Sequence, residues 1–362
     1  MPTILHTEAS RGFGGQELRI LAETRWLLDH GWDALVACQP ASPLHAEAEA
    51  ARIPAVAVRM RGAHDLRALF VLRRLMKARA VSLIHTHSSV DSWLGALAAR
   101  SLRRPVVRSR HVSIRIRSRR ALVYRLADRV VTSGEAVRGI VVGAGVPAGR
   151  VVSIPPGVDT RRFHPGVSGK TVRDELGLAA DQPLVGLVAN IRGSKGHNVF
   201  LEAAREVLQR RPDARFLVVG DGVGRAEVRR RVGAMGLEAA VTLTGFRRDI
   251  PEVMAALDVL VLPSIRSEAT SQVIPQAFAV GTPVVASTVG GSPELVRDGE
   301  TGRLVPPGDA RALAAAMLEL VSDPARAQAL GRAGQRLAAE RYSLDASMAL
   351  TTSVYLGLLG HN

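Results

Sequence analysis

Short apolar runs alternate with helix-length amphipathic runs almost from the first residue, and that rhythm leaves few folds open. Thr3 to Thr7 reads as a strand and Gln16 to about His30 as a helix. Further runs follow at Trp32–Cys38, Pro43–Arg52, Ala55–Val58, Asp65–Arg79, Val81–His85, Ser89–Leu102 and Pro105–Ser109. Strands joined through helices by short loops run parallel, because a parallel pair needs a crossover long enough to hold a helix. The expectation is an α/β fold built on doubly wound parallel sheets. Two more strands are expected at Asp128–Ser133 and Arg150–Asp159, the second running into a proline-glycine turn. That turn and the polar tract to Ala180 mark a domain boundary. A chain of 362 residues exceeds what one core fills. Two domains are therefore expected, 1–165 and 166–343, with a last helix at about 344–360 crossing back onto the first.

Composition narrows the compartment more than the chemistry. The single cysteine, Cys38, has no partner for an intrachain disulfide and suits a reducing cytoplasm. No segment approaches the roughly 18 apolar residues of a membrane span. The first residues lack the basic region and apolar core of a signal peptide, so a cytoplasmic protein is expected. The formal net charge is +15, yet only Lys77, Lys170 and Lys195 are lysines among 48 basic residues. So strong an arginine bias lowers the weight of any one arginine and raises that of each lysine.

Two stretches in the second half look chemical. Asp258 to Pro263 reads as a buried strand and passes through a polar loop into a helix from about Ser271 to Val280, stopped by Gly281. A loop that leaves a strand and enters a helix offers free N–H groups and a dipole that favours an anion. Its readings are a phosphate-bearing ligand or an ordinary strand-loop-helix unit. Leu184–Ala189 is another strand, followed by a loop with Arg192 and Lys195 on either side of a glycine ahead of a helix. It reads as a cationic cradle for phosphate oxygens or as two solvated cations.

The first half has three weaker features. Arg11 to Glu17 is a glycine-rich loop, either a tight turn or a close approach to a ligand. His87 and His111 follow apolar strands and should project from the carboxyl edge of one sheet. A His-x-His pair at 85 and 87 suits metal, but no carboxylate or third histidine stands at ligand spacing, so no metal is expected. The alternative is a histidine satisfied by backbone. From Arg100 to Arg125 there are ten arginines and no acidic residue, interleaved with Ile114, Ile116, Leu122 and Val123. This is either a basic amphipathic segment for an anionic bilayer or a solvated face. Nucleic acid is not expected, since the aromatic platforms that bind single strands are missing.

The order Ser264 to Glu268, a loop, a helix, then GTPVVAS and GGSPELV resembles the donor-site signature of retaining glycosyltransferases with the GT-B fold, the large bacterial group 1 or family 4 type. The resemblance implies two Rossmann-like domains facing a cleft, the first for an acceptor and the second for a nucleotide-sugar donor. In that family two glutamates stand eight apart; Glu268 matches the first, and Gln276 occupies the second, where a carboxylate would accept from the ribose hydroxyls. The loop with Arg192 and Lys195 is similar to the family's R-x-x-x-K-G pattern, one residue shorter. PPGVDTRRF resembles the interdomain turn.

By the same resemblance, Gly14 and Gly15 would reach the donor diphosphate, and backbone at Phe246 and Arg247 would bracket the base. N–H groups of Thr270, Ser271 and Gln272 would share the diphosphate charge, Glu268 would orient the sugar, and His111 would line its pocket. Sugar transfer would proceed with retention, without a required metal or cofactor, to a saccharide or lipid-linked acceptor. Two rivals stay open: another GT-B enzyme such as a sugar-nucleotide epimerase, and a non-catalytic sugar or membrane binder.

Overall fold

The computed structural model describes residues 1–360; the side chains at 118–120 lie outside the described set. The chain divides into two compact units, Met1–Gly157 with the stretch from Leu344 onward, and Val158–Ser343. The boundary thus lies at Gly157, ahead of the expected residue 165. Val158 already donates to the Tyr342 carbonyl at 2.8 Å, and Phe163 is buried in the core of the second unit.

The first unit holds seven strands: β1 (Thr3–Glu8), β2 (Asp33–Cys38), β3 (Ala55–Ala57), β4 (Val81–Thr86), β5 (Val106–Arg110), β6 (Arg129–Thr132) and β7 (Val151–Ser153). They lie in the order β3-β2-β1-β4-β5-β6-β7, every pair parallel. The second unit holds β8 (Leu184–Val188), β9 (Arg215–Val219), β10 (Val241–Gly245), β11 (Val259–Leu262), β12 (Val284–Ser287) and β13 (Gly302–Val305). Their order is β10-β9-β8-β11-β12-β13, again parallel. In both sheets the order reverses beside the first strand. The crevices that such reversals open lie at the carboxyl ends of β1 and β4 in one unit, and of β8 and β11 in the other.

Helices cover both faces of each sheet, so the strands are buried on both sides and read as continuous apolar runs. The helix Leu344–Leu359 belongs to the first unit: Leu344, Met348 and Tyr355 pack with Ile4, Leu83 and Val107, and Ser347 donates to the Pro155 carbonyl. Several strands of the first unit depart from apolar burial: on β4 His85 and Thr86, and on β5 Arg108 and Ser109, are buried, and β1 goes furthest. Its last residues, His6, Thr7 and Glu8, are polar yet fully buried. Among the described residues no helix is long and apolar enough to cross a membrane.

Candidate functional site

In the second unit the loops after β8 and β11 meet at the switch point. Lys195 Nζ donates to Glu268 Oε2 at 2.6 Å, and Ser264 Oγ donates to the same oxygen at 2.6 Å. The Lys195 and Glu268 side chains are only 11% and 7% exposed. The two loops are also tied through backbone, Ile265 N–H donating to the Ser194 carbonyl at 2.9 Å. Gly196 is what allows the approach: its φ is +73°, and a Cβ there would stand 1.8 Å from the Pro263 carbonyl oxygen. Gly290 does the same on the other side, at φ +57° with a would-be Cβ 1.7 Å from the Glu268 carbonyl oxygen. Gly291 N–H then donates to the Ala269 carbonyl.

The expected helix from Ser271 begins later, at Val273. Pro275 explains the shift: it is tolerated in the first turn, where its missing N–H needs no partner, but would break an interior turn. Thr270, Ser271 and Gln272 therefore form the approach to the helix rather than its first turn, and the first two are buried. Gln276 is half-buried on the helix, one turn beyond Gln272, whose carbonyl accepts its N–H at 3.1 Å. Arg192 is exposed ahead of Lys195.

His197, at the start of the following helix, is buried with both ring nitrogens unpaired among the described residues. Burial, and then the Lys195 charge, lowers its pKa to about 4, so the ring is neutral. Among the described residues the pair at Lys195 and Glu268 leaves one carboxylate oxygen and two ammonium hydrogens uncommitted, so the group can accept a hydroxyl hydrogen and still meet an anion.

Phe246 is 63% exposed after β10. The Arg247 side chain is not available to a ligand: it forks onto both Glu175 oxygens at 2.7 and 2.8 Å and is held by Asp249 as well. Only its backbone remains for the role expected of it.

In the first unit Gly14 has extended backbone that any residue adopts, and its N–H is already capped by Glu17 Oε2 at 2.8 Å. The loop thus satisfies this N–H itself, where the resemblance implies that Gly14 and Gly15 approach a diphosphate. Gly15 opens the helix and is exposed.

The histidines differ from expectation more sharply. A third one stands at ligand spacing: His6, on β1, offers a nitrogen within 4.8 Å of those of His85 and His87. Sequence spacing missed it because β1 and β4 are adjacent in the sheet but far apart in the chain. His6 Nδ1 faces His87 Nε2 at 2.9 Å, and His87 Nδ1 faces His111 Nε2 at 3.1 Å. His85 is bound by the Tyr355 hydroxyl at 2.6 Å and by Ser109 Oγ at 2.8 Å. Burial, and then neighbouring positive charge, pushes the pKa of His85 and His87 well below the ordinary value; burial and Arg19 do so for the half-buried His111.

Beside them Glu8 is raised to about 8 by burial and by the charge of Asp91, which is itself raised by burial to about 6. Asp91 accepts from Thr7 Oγ1 and from the His87 and Ser88 N–H groups, closing the switch point between β1 and β4.

The arginine segment is not one amphipathic element. It spans β5, a coil and the helix Ser118–Arg125. Arg108 is buried with its guanidinium 3.8 Å from the Tyr124 ring centre, Arg110 donates to the Tyr124 hydroxyl, and Arg100 pairs with Asp128 at 2.8 Å. Arg103, Arg104, Arg115, Arg117 and Arg125 are exposed, as are Val112, Ile114 and Leu122; the side chains of Arg119 and Arg120 lie outside the described residues.

Residues 182–323 match the family described as glycosyl transferases group 1, and residues 13–162 match glycosyltransferase family 4. The chain is 31% identical over 290 residues to a GDP-mannose-dependent alpha-(1-6)-phosphatidylinositol monomannoside mannosyltransferase of Mycolicibacterium smegmatis, covering 73% of this chain and 76% of that protein. It is 31% identical over 314 residues to a D-inositol 3-phosphate glycosyltransferase of Kineococcus radiotolerans, covering 76% and 72%. Across such relatives the matched stretch spans between 48% and 76% of their length.

Among solved structures, Anabaena HepE in complex with UDP and glucose is similar with a TM-score of 0.88 at 24% identity, covering 99% of this chain and 100% of that one. A glycosyltransferase from Rickettsia africae is similar with a TM-score of 0.91 at 20% identity, covering 100% and 99%. At such identities these two speak for the fold alone. Taken with the matches along both halves of the chain and the relatives above 30% identity, they place this protein in the group 1 and family 4 glycosyltransferases, with the GT-B fold.

Proposed function

We propose that this protein transfers a sugar from a nucleotide-sugar donor to an acceptor hydroxyl, with retention and without a required metal. The observation that carries the reading is the group formed by Lys195, Glu268 and Ser264 at the switch point of the second sheet, with Arg192 exposed ahead of it. Arg192 and the free hydrogens of Lys195 supply the positive charge that a departing diphosphate needs, the part a metal plays elsewhere. The N–H groups around Thr270, Ser271 and Gln272 add to it. Glu268 accepts from a sugar hydroxyl through its uncommitted oxygen, and His111 bonds the transferred sugar. The bond from the anomeric carbon to phosphate breaks while the acceptor oxygen bonds the same face, and the acceptor's proton passes to the leaving phosphate.

Gln276 holds the ribose with one acceptor oxygen and one N–H donor, a neutral contact in place of a charged one. Its cost is about 1 kcal/mol of donor affinity.

Nucleotide release from a panel of sugar nucleotides, in excess chelator, tests this. Turnover should persist without divalent ions and fall at least about a hundredfold in Arg192→Ala. Gln276→Glu should shift mainly the apparent donor affinity. A silent protein that only Gln276→Glu awakens would favour a non-catalytic binder, and an absolute need for a divalent ion would end the metal-free mechanism.

The same reading places the protein in the cytoplasm on an anionic membrane surface, in the synthesis of cell-envelope polysaccharide, lipopolysaccharide or glycolipid. Support comes from the exposed Val112, Ile114 and Leu122 among exposed arginines. A second patch adds to it: the helix Leu66–Ala78 exposes Leu66, Phe70 and Val71, and its Arg73 bonds Ser101 Oγ at the root of the arginine segment. Each arginine near an anionic surface contributes about 1 kcal/mol, and salt weakens it. Flotation should therefore require anionic vesicles and decline with salt. Equal flotation with neutral vesicles would rule out the electrostatic docking.

A further inference from the structure

Three imidazoles stand in line in the first unit. His6 Nδ1 meets His87 Nε2 at 2.9 Å, and His87 Nδ1 meets His111 Nε2 at 3.1 Å. The ring planes of successive members lie within 20° and 17° of each other. The neighbouring His85 does not compete for these contacts, since both its nitrogens are held by Tyr355 and Ser109.

Burial keeps all three rings of the line neutral. A neutral imidazole has one N–H and one lone pair, so each contact takes a donor from one ring and an acceptor from the next. The tautomer of any one ring therefore fixes the other two, and only two orders exist. In the first, every N–H points from His6 towards His111; His6 Nε2 is then a bare lone pair and His111 Nδ1 carries a hydrogen. In the second, His6 Nε2 carries the hydrogen and His111 Nδ1 is a lone pair. His6 Nε2 is buried with no partner among the described residues. Unpaired buried N–H groups are rarer than unpaired acceptors, which favours the first order.

We propose that His6 and His87 are positioning residues that fix His111 in the Nδ1–H tautomer, so that it presents a neutral hydrogen-bond donor just beyond β5. The use of that donor rests on the proposed function: it bonds an oxygen of the transferred sugar. A ring held this way has no lone pair at Nδ1 and does not serve there as a base. Alone, a histidine in this position would be free to offer either. The chain removes that freedom, so the donor is already set before a ligand arrives.

Long-range ¹H–¹⁵N correlation spectra of the ¹⁵N-labelled full chain near pH 7, with each histidine assigned by single substitution, decide the matter. The expected spectrum has a protonated Nδ1 and an unprotonated Nε2 at His6, His87 and His111. His87→Leu should turn His111 into a tautomer mixture and lower kcat about tenfold with the nucleotide Kd unchanged, the size of one lost hydrogen bond. His87→Gln, whose amide both accepts and donates, should recover part of that loss. A wild-type spectrum with hydrogen on His111 Nε2, or on both nitrogens, would overturn the proposal. So would stoichiometric zinc in the purified protein together with a spectrum that chelator changes, which would make His6, His85 and His87 a metal site. A protein inactive with every donor that still shows the Nδ1–H pattern would defeat the proposed transfer and leave the tautomer assignment standing.

Discussion

Glu268→Ala is expected to lower kcat/KM for any working donor by at least about a hundredfold and to destabilise the second unit by about 3–5 kcal/mol. The stability loss follows from burial. With its partner gone, the Lys195 ammonium is left almost fully buried with no counter-charge. Lys195→Ala should cost a similar amount, since among the described residues the carboxylate keeps only the Ser264 hydroxyl. The double change Lys195→Met with Glu268→Leu should regain most of the stability, because both desolvation penalties disappear together, and none of the activity. Urea unfolding followed by circular dichroism reads the first effect and nucleotide release the second. Tryptophan fluorescence is blind here, as Trp26, Trp32 and Trp93 all belong to the other unit. Glu268→Ala with full turnover and reduced stability would make the pair structural and remove Glu268 from the donor site.

Those same three tryptophans make the second prediction readable, that the stability of the first unit peaks near pH 6.5. On the acid side His6 has a folded pKa of about 4 against an ordinary 6.5. Below 6.5 the unfolded chain takes up a proton that the folded chain refuses. Each pH unit in that window costs about 1.4 kcal/mol per such histidine, and so about 3 kcal/mol for His6 by pH 4. His85, His87 and His111 are shifted in the same direction.

On the alkaline side Glu8 has a folded pKa of about 8 against 4.5, and Asp91 about 6 against 3.8. Their contribution is present at low pH and is lost as pH rises through the folded values. Between pH 4.5 and 6.5 four histidines outweigh two carboxyl groups, and above 6.5 Glu8 acts alone. Denaturant midpoints by tryptophan fluorescence from pH 5 to 8 should trace the maximum. A flat profile, or one that climbs steadily to pH 8, would show that the buried polar cluster does not titrate as its burial requires.

Much of the second unit's site was legible because its residues announce themselves locally. A lysine in a chain nearly without lysines, a glycine beside it, and a small-polar loop entering a helix each follow from the order of neighbours in sequence. What local order did not give was their mutual engagement. Lys195 and Glu268 each have a separate role when read along the chain, yet in the fold they hold each other, with Ser264 as the third member. Gly290 and Gly291 had a visible signal, two adjacent glycines after a strand, but the reason for them is the carbonyls of Glu268 and Ala269, which only the folded loop brings close.

The sequence by itself determined the class of the fold, since the alternation of apolar strands and helices forces parallel sheets whichever side chains fill them. It also determined which loops leave the carboxyl edge of each sheet, and therefore where Arg192, Lys195, Glu268 and His111 start from. Only the tertiary structure decided which side chains within each unit meet. His6 and His87 are 81 residues apart and adjacent because β1 pairs with β4. The Gly14 N–H is taken by a glutamate three residues on, and three arginines of the basic segment are engaged by Tyr124 and Asp128. Spacing along a chain reports contacts within a helix turn or a strand, where the geometry repeats. Contacts across a sheet depend on strand order, and strand order is fixed by burying the apolar faces of all the strands together.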